Sequence, residues 1–530
     1  MSKRKAAYNR KARHPTGGNK ATVVNTGYSN GGASTTRQAL RGYLPIKSSP
    51  KSDVDVNLNI LRSRSSDMAI NSPIGSAAIN RYRTNVVGAG LIPSPRPDYR
   101  LLGISAEEAT EWRRKTKAEF NLWANSVDCD LYRKHNFYDM QDIAFIASLV
   151  DGDSWAAVKY RKPIGDAIYC TKVQLFEASR VCNPNSYGVL GTNINVEVKN
   201  ERNGNRIVNG VEINNDGAVV AYWVSSRVPY DPTDTKTLQW QRVEAFGRKT
   251  GMPNVLQISH EERPEQYRGV PILAPVIEEI KQIARYTGAE LTAAIVKSYF
   301  TLFFKTQAQN GLGNALPEAF SEEDKIDFDK YLFELGAGTM NELPPGYEVQ
   351  TVDASRSLST FEPFTNSLIA QVGAGMEVPS EVLLSRFQSS YSAARGSLLQ
   401  FQAVTKKRRI WFARDFCQPI YERWLAEAVA IGRIQAPGFF DDPLIRQAWS
   451  KADWFGPTMG MLDPVKEVEA AKLRVDYGFS TGEQESAEIT GTEYGENIAQ
   501  LEAERLHWKN SGMCYPSCAK VKLEGGESNE

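Results

Sequence analysis

Apolar residues recur at intervals of three and four positions through the stretch Gln266–Ala294. Such spacing places the apolar side chains on one face of an α-helix. The stretch opens with a Gly-Val-Pro turn, which can place Pro271 in the first helical turn, where the missing N–H costs little. The pattern predicts a helix from Pro271 to about Ser298, roughly 40 Å long at 1.5 Å per residue. Its apolar face comprises Leu273, Val276, Ile277, Ile280, Ile283, Ala284, Thr287, Leu291, Ala294 and Ile295.

A second amphipathic helix and a small insertion follow this helix. Strand-like runs at Tyr299–Lys305 and Tyr347–Val352 enclose a short helix near Ser321–Leu335. The second long helix is predicted at Ser357–Met376, where Ser359 or Thr360 can cap it. Its apolar side carries Phe361, Phe364, Leu368, Val372 and Met376. The order predicts two long helices that flank a compact α/β insertion.

The rest of the chain divides into a helical opening, a β-rich middle and a helical end. Ser105 and Glu108 form a capping box that opens a helix ending near Asn125. Alternating, β-branched segments from Trp155 to Ile258 predict an antiparallel β region, with a hairpin signal at Asn215-Asp216-Gly217. A very long helix is predicted at Ser392–Ala430, bent near Pro419. The fold class predicted is therefore α+β, mainly α.

Charge is distributed unevenly along the chain. The 530 residues carry a net charge of +1, which argues against a general polyanion binder. The first 52 residues hold eleven Lys or Arg and no Asp or Glu, whereas Glu483–Glu530 holds ten acidic and four basic residues. Two interpretations stay open: separate electrostatic partners for the two ends, or solvated, disordered ends.

Cysteine usage and hydropathy restrict the setting of the protein. Of six cysteines, only Cys514 and Cys518 are close in sequence, and no second pair completes a zinc set. This usage favours a reducing, cytosolic compartment during assembly. No apolar run approaches 18 residues, so a membrane partner is not expected.

Candidate chemistry is sparse. There is no Gly-Lys-Ser/Thr phosphate loop and no His-x-x-x-His pair, so no catalytic residue, metal ligand or cofactor is assigned. Asp151-Gly152-Asp153 is interpreted as a helix-ending turn, and His260 as a structural histidine rather than a general base. The run Lys406–Arg409 favours a solvated or carboxylate-paired helix face over a phosphate contact. Scattered acids that assemble a two-metal nuclease stay an alternative.

Several sequence segments, in the order in which they occur along the chain, resemble segments of the lambda-type portal proteins of tailed phages. They are RSRSSDMAINSPIGSAAINRYRTNVVGAGL at 62–91, ISHEERPEQYRGVP at 258–271, VPSEVLLSRFQSSYSAAR at 378–395 and WFGPTMGMLDPVKEVEAAKLRVDYGFST at 454–481. The chain departs from the family at Gln388-Ser389-Ser390, where an Asp- or Asn-bearing phrase is common. The resemblance covers about residues 55–510.

The resemblance implies a portal fold whose subunits surround a central channel as a ring. A basic arm would span 1–52 and a wing 53–263. The stem would comprise helices 264–300 and 354–377, on either side of a clip at 301–353. A tunnel loop would occupy 378–395, a long wing helix 396–435, a crown 436–510 and a disordered tail 511–530.

It also implies a function and partners. The ring, usually of twelve copies, would stand at one capsid vertex of the virion, after assembly in the host bacterial cytoplasm. Double-stranded DNA would be pumped in by terminase and later ejected through the channel. Scaffold and major capsid proteins and head-completion or connector proteins would be further partners. Two alternatives are a metal-dependent DNA-processing enzyme and a virion structural protein without a channel.

Three groups of site residues follow from the resemblance and the helical faces. The polar side of the first stem helix would face the bore, the tunnel loop would touch DNA, and the apolar sides would seal against neighbouring subunits. The bore-facing candidates are Glu278, Gln282 and Arg285. The tunnel-loop candidates are Arg386, Gln388, Ser389, Ser390 and Tyr391. The subunit-interface candidates are Leu273, Ile277, Ile280, Leu368 and Val372.

Overall fold

The computed structural model describes residues 33–34, 37–184, 196–229, 231, 233–298, 302–306, 347–351, 361–388, 390–458 and 463–513. The chain divides into two compact units, Met1–Ser49 and Pro50–Glu530. In the first unit, the described residues include a 3₁₀ turn at Gln38–Leu40. Most of the predicted basic arm, the tail after residue 513 and the predicted helix Ser321–Leu335 lie outside the described residues.

The second unit combines helices with short antiparallel sheets, so the predicted α+β class is confirmed. The helices are α1 (Leu58–Asn71), α2 (Pro73–Val86), α3 (Tyr99–Leu102), α4 (Ala106–Ala124), α5 (Phe137–Asp151), α6 (Ile277–Ser298), α7 (Phe361–Gly375), α8 (Ser380–Leu384), α9 (Tyr391–Phe412), α10 (Gln418–Ala430), α11 (Pro443–Ser450), α12 (Pro464–Asp476), α13 (Gly482–Ile489) and α14 (Tyr494–Asn510). The strands are β1 (Ile92–Pro95), β2 (Asp153–Tyr160), β3 (Thr171–Phe176), β4 (Glu197–Lys199), β5 (Arg206–Val208), β6 (Val211–Ile213), β7 (Val219–Ser225), β8 (Trp240–Glu244), β9 (Val255–Ser259), β10 (Leu302–Thr306), β11 (Tyr347–Thr351) and β12 (Ala452–Phe455).

Local sequence signals set several of these boundaries. The predicted capping box is present at α4: the Glu108 backbone N–H donates to Ser105 Oγ at 3.1 Å, and the Ser105 N–H donates to the Glu108 carboxylate at 2.8 Å. Helix α5 ends at Gly152, whose φ of +86° is one that glycine adopts without strain. The helix-ending turn predicted at Asp151–Asp153 is thereby confirmed.

The β region contains two sheets with different surroundings. One has the strand order β3-β2-β9 and packs against α5, while the other runs β4-β5-β6-β7-β8 in simple antiparallel order. The turn between β6 and β7 contains the predicted Asn215-Asp216-Gly217 signal, and Gly217 has φ +83°. The predicted hairpin is therefore confirmed, although a register irregularity falls between Glu212 and Ile213.

The main core lies among α2, α4, α5, α9, α10 and the start of α6. The Phe120 ring lies at its centre and meets Phe137, Tyr421 and Trp424 edge-on, with centroid distances of 5.7, 5.5 and 5.0 Å. All four side chains are buried. Edge-to-face packing suits the ring quadrupoles, and each buried ring contributes about 1.5–3 kcal/mol. The core joins segments more than 280 residues apart, from α4 to α10.

The two predicted stem helices form a pair. A 3₁₀ turn at Ala274–Val276 leads into α6, and the strands β10 and β11 pair antiparallel between α6 and α7. Tyr286 on α6 stacks on Phe361 and meets Phe364 edge-on, with centroid distances of 5.5 and 5.0 Å. The described part of α7 begins at Phe361, so the proposed caps Ser359 and Thr360 lie outside the described residues.

The long helix near residue 400 differs in detail from its prediction. Helix α9 passes into a π-helical turn at Ala413–Cys417 and then into α10. Pro419 lies in the first turn of α10, where it has no N–H to donate to the preceding turn. The interruption of the helix that was predicted near Pro419 therefore lies just before it, in the π-helical turn at Ala413–Cys417.

Candidate functional site

The polar face of α6 lies on the surface of the described chain. Glu278, Gln282 and Arg285 are all exposed. They follow the helix at intervals of three and four residues, so they form one stripe of mixed charge. A stripe of this kind offers DNA phosphates both attraction and repulsion. That this stripe faces a channel stays a prediction.

The apolar face of α6 and α7 divides into a covered and an uncovered part. Leu273, just before the 3₁₀ turn that leads into α6, Ile280 on α6 and Val372 on α7 are 0%, 1% and 0% exposed, and all three belong to the main core of their own chain. A side chain with no exposed surface in one subunit has none to offer a neighbour. This corrects the interface prediction for these three residues. The physical reason is that α6 packs against α1, α7 packs against α8, and the two helices pack against each other.

Ile277 and Leu368 are half-buried against the same core, and their subunit-interface role stays a prediction. Further along α6 the same apolar face is open. Leu291 is 62% exposed and Ile295 is 48% exposed, and Phe364 on α7 is 50% exposed. These three residues are better candidates for contacts with another subunit. The helical periodicity placed Leu291 and Ile295 on the apolar face. It contained no signal for how much of that face is buried by other parts of the same subunit.

The tunnel-loop candidates lie between α8 and α9, except Tyr391, which is the first residue of α9. Arg386, Gln388, Ser390 and Tyr391 are exposed, whereas Ser389 lies outside the described residues. Arg386 Nη1 lies 3.2 Å from a Glu362 carboxylate oxygen at the start of α7. Ser390 Oγ accepts a hydrogen bond from the Ala393 N–H at 3.4 Å and thus caps α9. The loop is therefore anchored at both ends and leaves Gln388 and Tyr391 open to solvent.

Two further contacts hold the segment around α8. Glu377 and Ser385, which flank α8, both have positive φ, at +57° and +54°. The Glu377 carboxylate pairs with Arg408 on α9 at 3.2 Å, and the Ser385 hydroxyl accepts a hydrogen bond from Arg81 on α2. These contacts compensate for a backbone conformation that non-glycine residues seldom adopt.

A buried charge cluster joins α1, the start of β2 and the segment before α6. Asp153 is fully buried and accepts hydrogen bonds from Arg62 at 2.7 Å, Arg268 at 2.6 Å and the Trp155 indole N–H at 3.1 Å. Arg268 also donates to the backbone carbonyl groups of Ala178, at 2.9 Å, and Val181, at 2.7 Å. Sequence reasoning did not identify this cluster, because its three charged members are separated by 91 and 115 residues.

The cluster fixes the charge state of its members. Burial would raise the pKa of Asp153, but the charges of Arg268 and Arg62 outweigh it and hold that pKa below its ordinary value. Burial lowers the pKa of Arg62 to about 10, so this side chain stays charged at neutral pH. The Asp153 carboxylate thus has its negative charge matched by two guanidinium groups, which leaves it unsuited to bind a cation.

Asp151, the other carboxylate of this turn, differs from Asp153. Burial raises the pKa of its carboxyl group to about 6. Within the described part of the chain, no group of three or more His, Cys, Asp or Glu side chains is arranged to hold a metal ion. None of the described helices combines the length and apolar character required to cross a lipid bilayer.

The basic run on α9 is mostly paired. Lys406 meets Glu488 at 2.9 Å, and Arg408 meets Glu377 at 3.2 Å. Arg409 donates to three backbone carbonyl groups, those of Asn85, Val86 and Pro457, at 2.6 to 3.1 Å. The carboxylate-paired interpretation is therefore confirmed for Lys406 and Arg408.

His260 packs edge-on against Trp411, with ring centroids 5.6 Å apart. Burial, with the nearby charges of Arg408 and Lys407, lowers the pKa of His260. This packing agrees with the structural role predicted for this histidine.

Comparison with known proteins relates this chain to phage portal proteins. Residues 36–409 match the family described as "Phage portal protein, lambda family". The portal protein of Escherichia phage N15 is 28% identical over 530 residues, with 95% of each chain covered. Portal protein B of Escherichia phage lambda is 26% identical, with 94% of this chain and 93% of the relative covered.

Solved structures give a more distant likeness. A chain from the neck of a native gene transfer agent particle, computed with C12 symmetry, is 12% identical with a TM-score of 0.41. The alignment covers 82% of this chain and 98% of that one. A chain from the virion of the native gene transfer agent is 11% identical, also with a TM-score of 0.41, and the alignment covers 80% and 92%.

Proposed function

Because the chain belongs to the lambda family of phage portal proteins, we propose that it forms the ring at a capsid vertex through which double-stranded DNA is packaged and later ejected. The observation that carries this proposal is the family match over residues 36–409, a range that includes α6, α7 and the loop between α8 and α9. The protein is a structural component of the virion and not an enzyme. Twelve copies per ring is the expected number.

The stem pair would build the channel wall. The inner halves of α6 and α7 are fixed in the subunit's own core, which gives the wall a rigid base. The outer half of α6 presents Leu291 and Ile295, and Phe364 lies on α7; these apolar side chains would pack against the neighbouring subunits. Heterologous contacts of this kind close a ring when the rotation between subunits is suitable.

The polar stripe Glu278, Gln282 and Arg285 would then face the bore. A channel that binds phosphates tightly would slow the passage of DNA, since each neutralised phosphate adds to the affinity. Mixed charge keeps that affinity low. The loop between α8 and α9 would make the closer contacts, through Arg386, Gln388, Ser389 and Tyr391, while Ser390 caps α9.

The other partners follow from the position of each region in the proposed ring. The insertion 301–353 would dock terminase during packaging and head-completion or connector proteins afterwards. Scaffold and major capsid proteins would contact the ring during head assembly in the host bacterial cytoplasm.

Electron microscopy of the purified protein in negative stain tests this proposal. Rotationally symmetric rings with an axial hole are expected. Monomers or filaments over a range of protein concentrations would contradict it. Incubation of the same preparation with duplex DNA and Mg²⁺ should leave the DNA intact, whereas cleavage would instead support the enzyme alternative.

A further inference from the structure

The C-terminal segment, defined here as residues 463–513 with α12, α13 and α14, meets the rest of the chain through ion pairs of one polarity. In each pair the carboxylate belongs to the segment and the cation to the rest of the chain. The pairs are Arg96–Glu483 at 3.5 Å, Arg113–Glu483 at 2.9 Å, Lys117–Glu493 at 3.3 Å, Lys117–Glu496 at 2.8 Å, Arg395–Glu467 at 3.7 Å and Lys406–Glu488 at 2.9 Å. The cations come from three separate parts of the chain, near β1, on α4 and on α9.

The composition of the segment agrees with this polarity. Residues 463–513 hold eleven Asp and Glu against five Lys and Arg, a net charge of −6. The acidic C-terminal segment therefore lies against a set of cations from the rest of the chain. The complementarity extends over the whole contact and is not confined to one pair.

Apolar burial contributes little to the same contact. Among residues 463–513, Ala471 and Glu485 are the only buried side chains, and α14 contains none over its 17 residues. This differs sharply from α10, where Ile420, Tyr421, Trp424 and Leu425 are all 0% exposed. A helix that buries no side chain gains little of the packing that normally stabilises helices in proteins.

The contact is also incompletely packed. A cavity of about 620 Å³ lies between α13 and the wing, and its lining includes Phe401, Trp454, Thr481 and Glu488. Both members of the Lys406–Glu488 pair line this cavity, so the cavity brings solvent-accessible space to the ion pair. Dissolved ions can therefore screen these charges from within the contact as well as from its rim.

Screening acts differently on the two kinds of contact. The Debye length falls from about 10 Å at 0.1 M salt to about 3 Å at 1 M, which weakens solvent-accessible ion pairs. Apolar burial does not depend on charge and is not weakened in this way. Five of the six pairs include a side chain that is 36–60% exposed, whereas both side chains of Lys117–Glu493 are largely buried, at 13% and 11%. A segment held mainly by partly exposed ion pairs should thus separate before the core is affected.

We propose that the C-terminal segment is an electrostatic latch, which lies on the wing at low ionic strength and detaches as ionic strength rises. Detachment removes the carboxylates of the segment from the cations Arg96, Arg113, Lys117, Arg395 and Lys406. The inference goes beyond the proposed portal function and does not require it, because every contact that carries it lies within one chain.

Hydrogen–deuterium exchange of the full-length protein tests the latch. Backbone amides of α13 and α14 are compared in about 0.1 M and about 1 M KCl, concentrations chosen for their different Debye lengths. Exchange in these helices should become about tenfold faster at the higher concentration, while α5 in the main core stays unchanged. Equal exchange rates in α13 and α14 at both concentrations, or slower exchange at the higher one, would overturn the proposal.

A charge-neutralising variant repeats the test without a change of salt. Lys117→Gln removes two of the pairs, so α13 and α14 should exchange faster already at the lower KCl concentration. Lys115→Gln, an exposed position two residues earlier on α4, is the matched control and should behave as the wild type. If Lys117→Gln does not fold, Glu496→Gln removes one pair from the segment's side and should produce a smaller change of the same sign.

Light scattering at both KCl concentrations separates the latch from ring assembly. Faster exchange at constant particle mass supports detachment within each subunit. If the mass falls as well, the exchange rates of Lys117→Gln at the lower KCl concentration distinguish detachment from ring dissociation, because that comparison with the wild type involves no change of ionic strength. Wild-type exchange in both Lys117→Gln and Glu496→Gln would contradict the latch whatever the assembly state.

Discussion

The Nε atom of Arg268 lies 2.6 Å from the Oδ2 atom of Asp153, and the two side chains are 1% and 0% exposed. Asp153 begins strand β2, whereas Arg268 lies between β9 and α6. Their ion pair therefore fixes the segment before α6 relative to strand β2. Arg62 on α1 supplies the second cation, so three separate segments meet at one carboxylate.

Replacement of Asp153 by asparagine should destabilise the subunit strongly. Two buried guanidinium groups would lose their counter-charge, and breaking a buried ion pair typically costs about 3–5 kcal/mol. Urea unfolding followed by circular dichroism measures the change. Arg248→Gln, which removes an exposed ion pair with Glu244, is the control and should leave the unfolding midpoint unchanged. A midpoint shared by Asp153→Asn and the wild type would contradict the structural role of the cluster.

Asp151→Asn should stabilise the protein at neutral pH. The pKa of Asp151 is about 6 in the folded chain and about 3.9 when unfolded. Between these values the folded state binds more protons than the unfolded state, so this group lowers stability as pH rises from about 4 to about 6. The neutral amide avoids that loss, a gain of about 1–3 kcal/mol at pH 7 that should disappear near pH 4. Unfolding free energies measured at both pH values test this, and an equal effect at both would contradict it.

Ile280→Asp and Leu291→Asp should have different consequences although both residues lie on the apolar face of α6. Ile280 is 1% exposed, and a carboxylate there should cost about 3 kcal/mol or more and reduce folding of the subunit. Leu291 is 62% exposed, so its replacement should change subunit stability by no more than about 0.5 kcal/mol but prevent ring formation. Thermal melts and light scattering measure the two properties. Normal rings from Leu291→Asp would exclude this position from the subunit contact.

Arg386→Gln should impair DNA packaging or retention without preventing ring formation. The Arg386–Glu362 pair is 53% and 62% exposed, and pairs of this kind contribute little to stability. Loss of the cation should instead weaken the contact between the loop and DNA. Nuclease-protected DNA per particle is the measurement, and Glu362→Gln, which breaks the same pair but keeps the cation, is the control. Equal DNA content in Arg386→Gln and the wild type would remove Arg386 from the mechanism.

Local signals in the sequence were sufficient for much of the fold. The Ser105–Glu108 capping box, the turn at Gly152 and the hairpin at Gly217 are present where they were predicted, because each depends on residues within a few positions of one another. The portal family inferred from ordered phrases is confirmed by the match over residues 36–409. The sequence segments that resemble the family are distributed over hundreds of residues. Together they identify a fold that the signal from a single helix or turn could not identify.

Long-range contacts were not accessible in the same way. The sequence by itself determined that α6 has an apolar and a polar face, because helical periodicity is a property of neighbouring residues. Only the tertiary structure decided that the subunit's own core covers this face near Ile280 and leaves it open near Leu291. The Arg62–Asp153–Arg268 cluster likewise depended on chain segments that meet only after folding. The physical reason is that periodicity shows that a helix face will be buried but contains no information about which segments bury it.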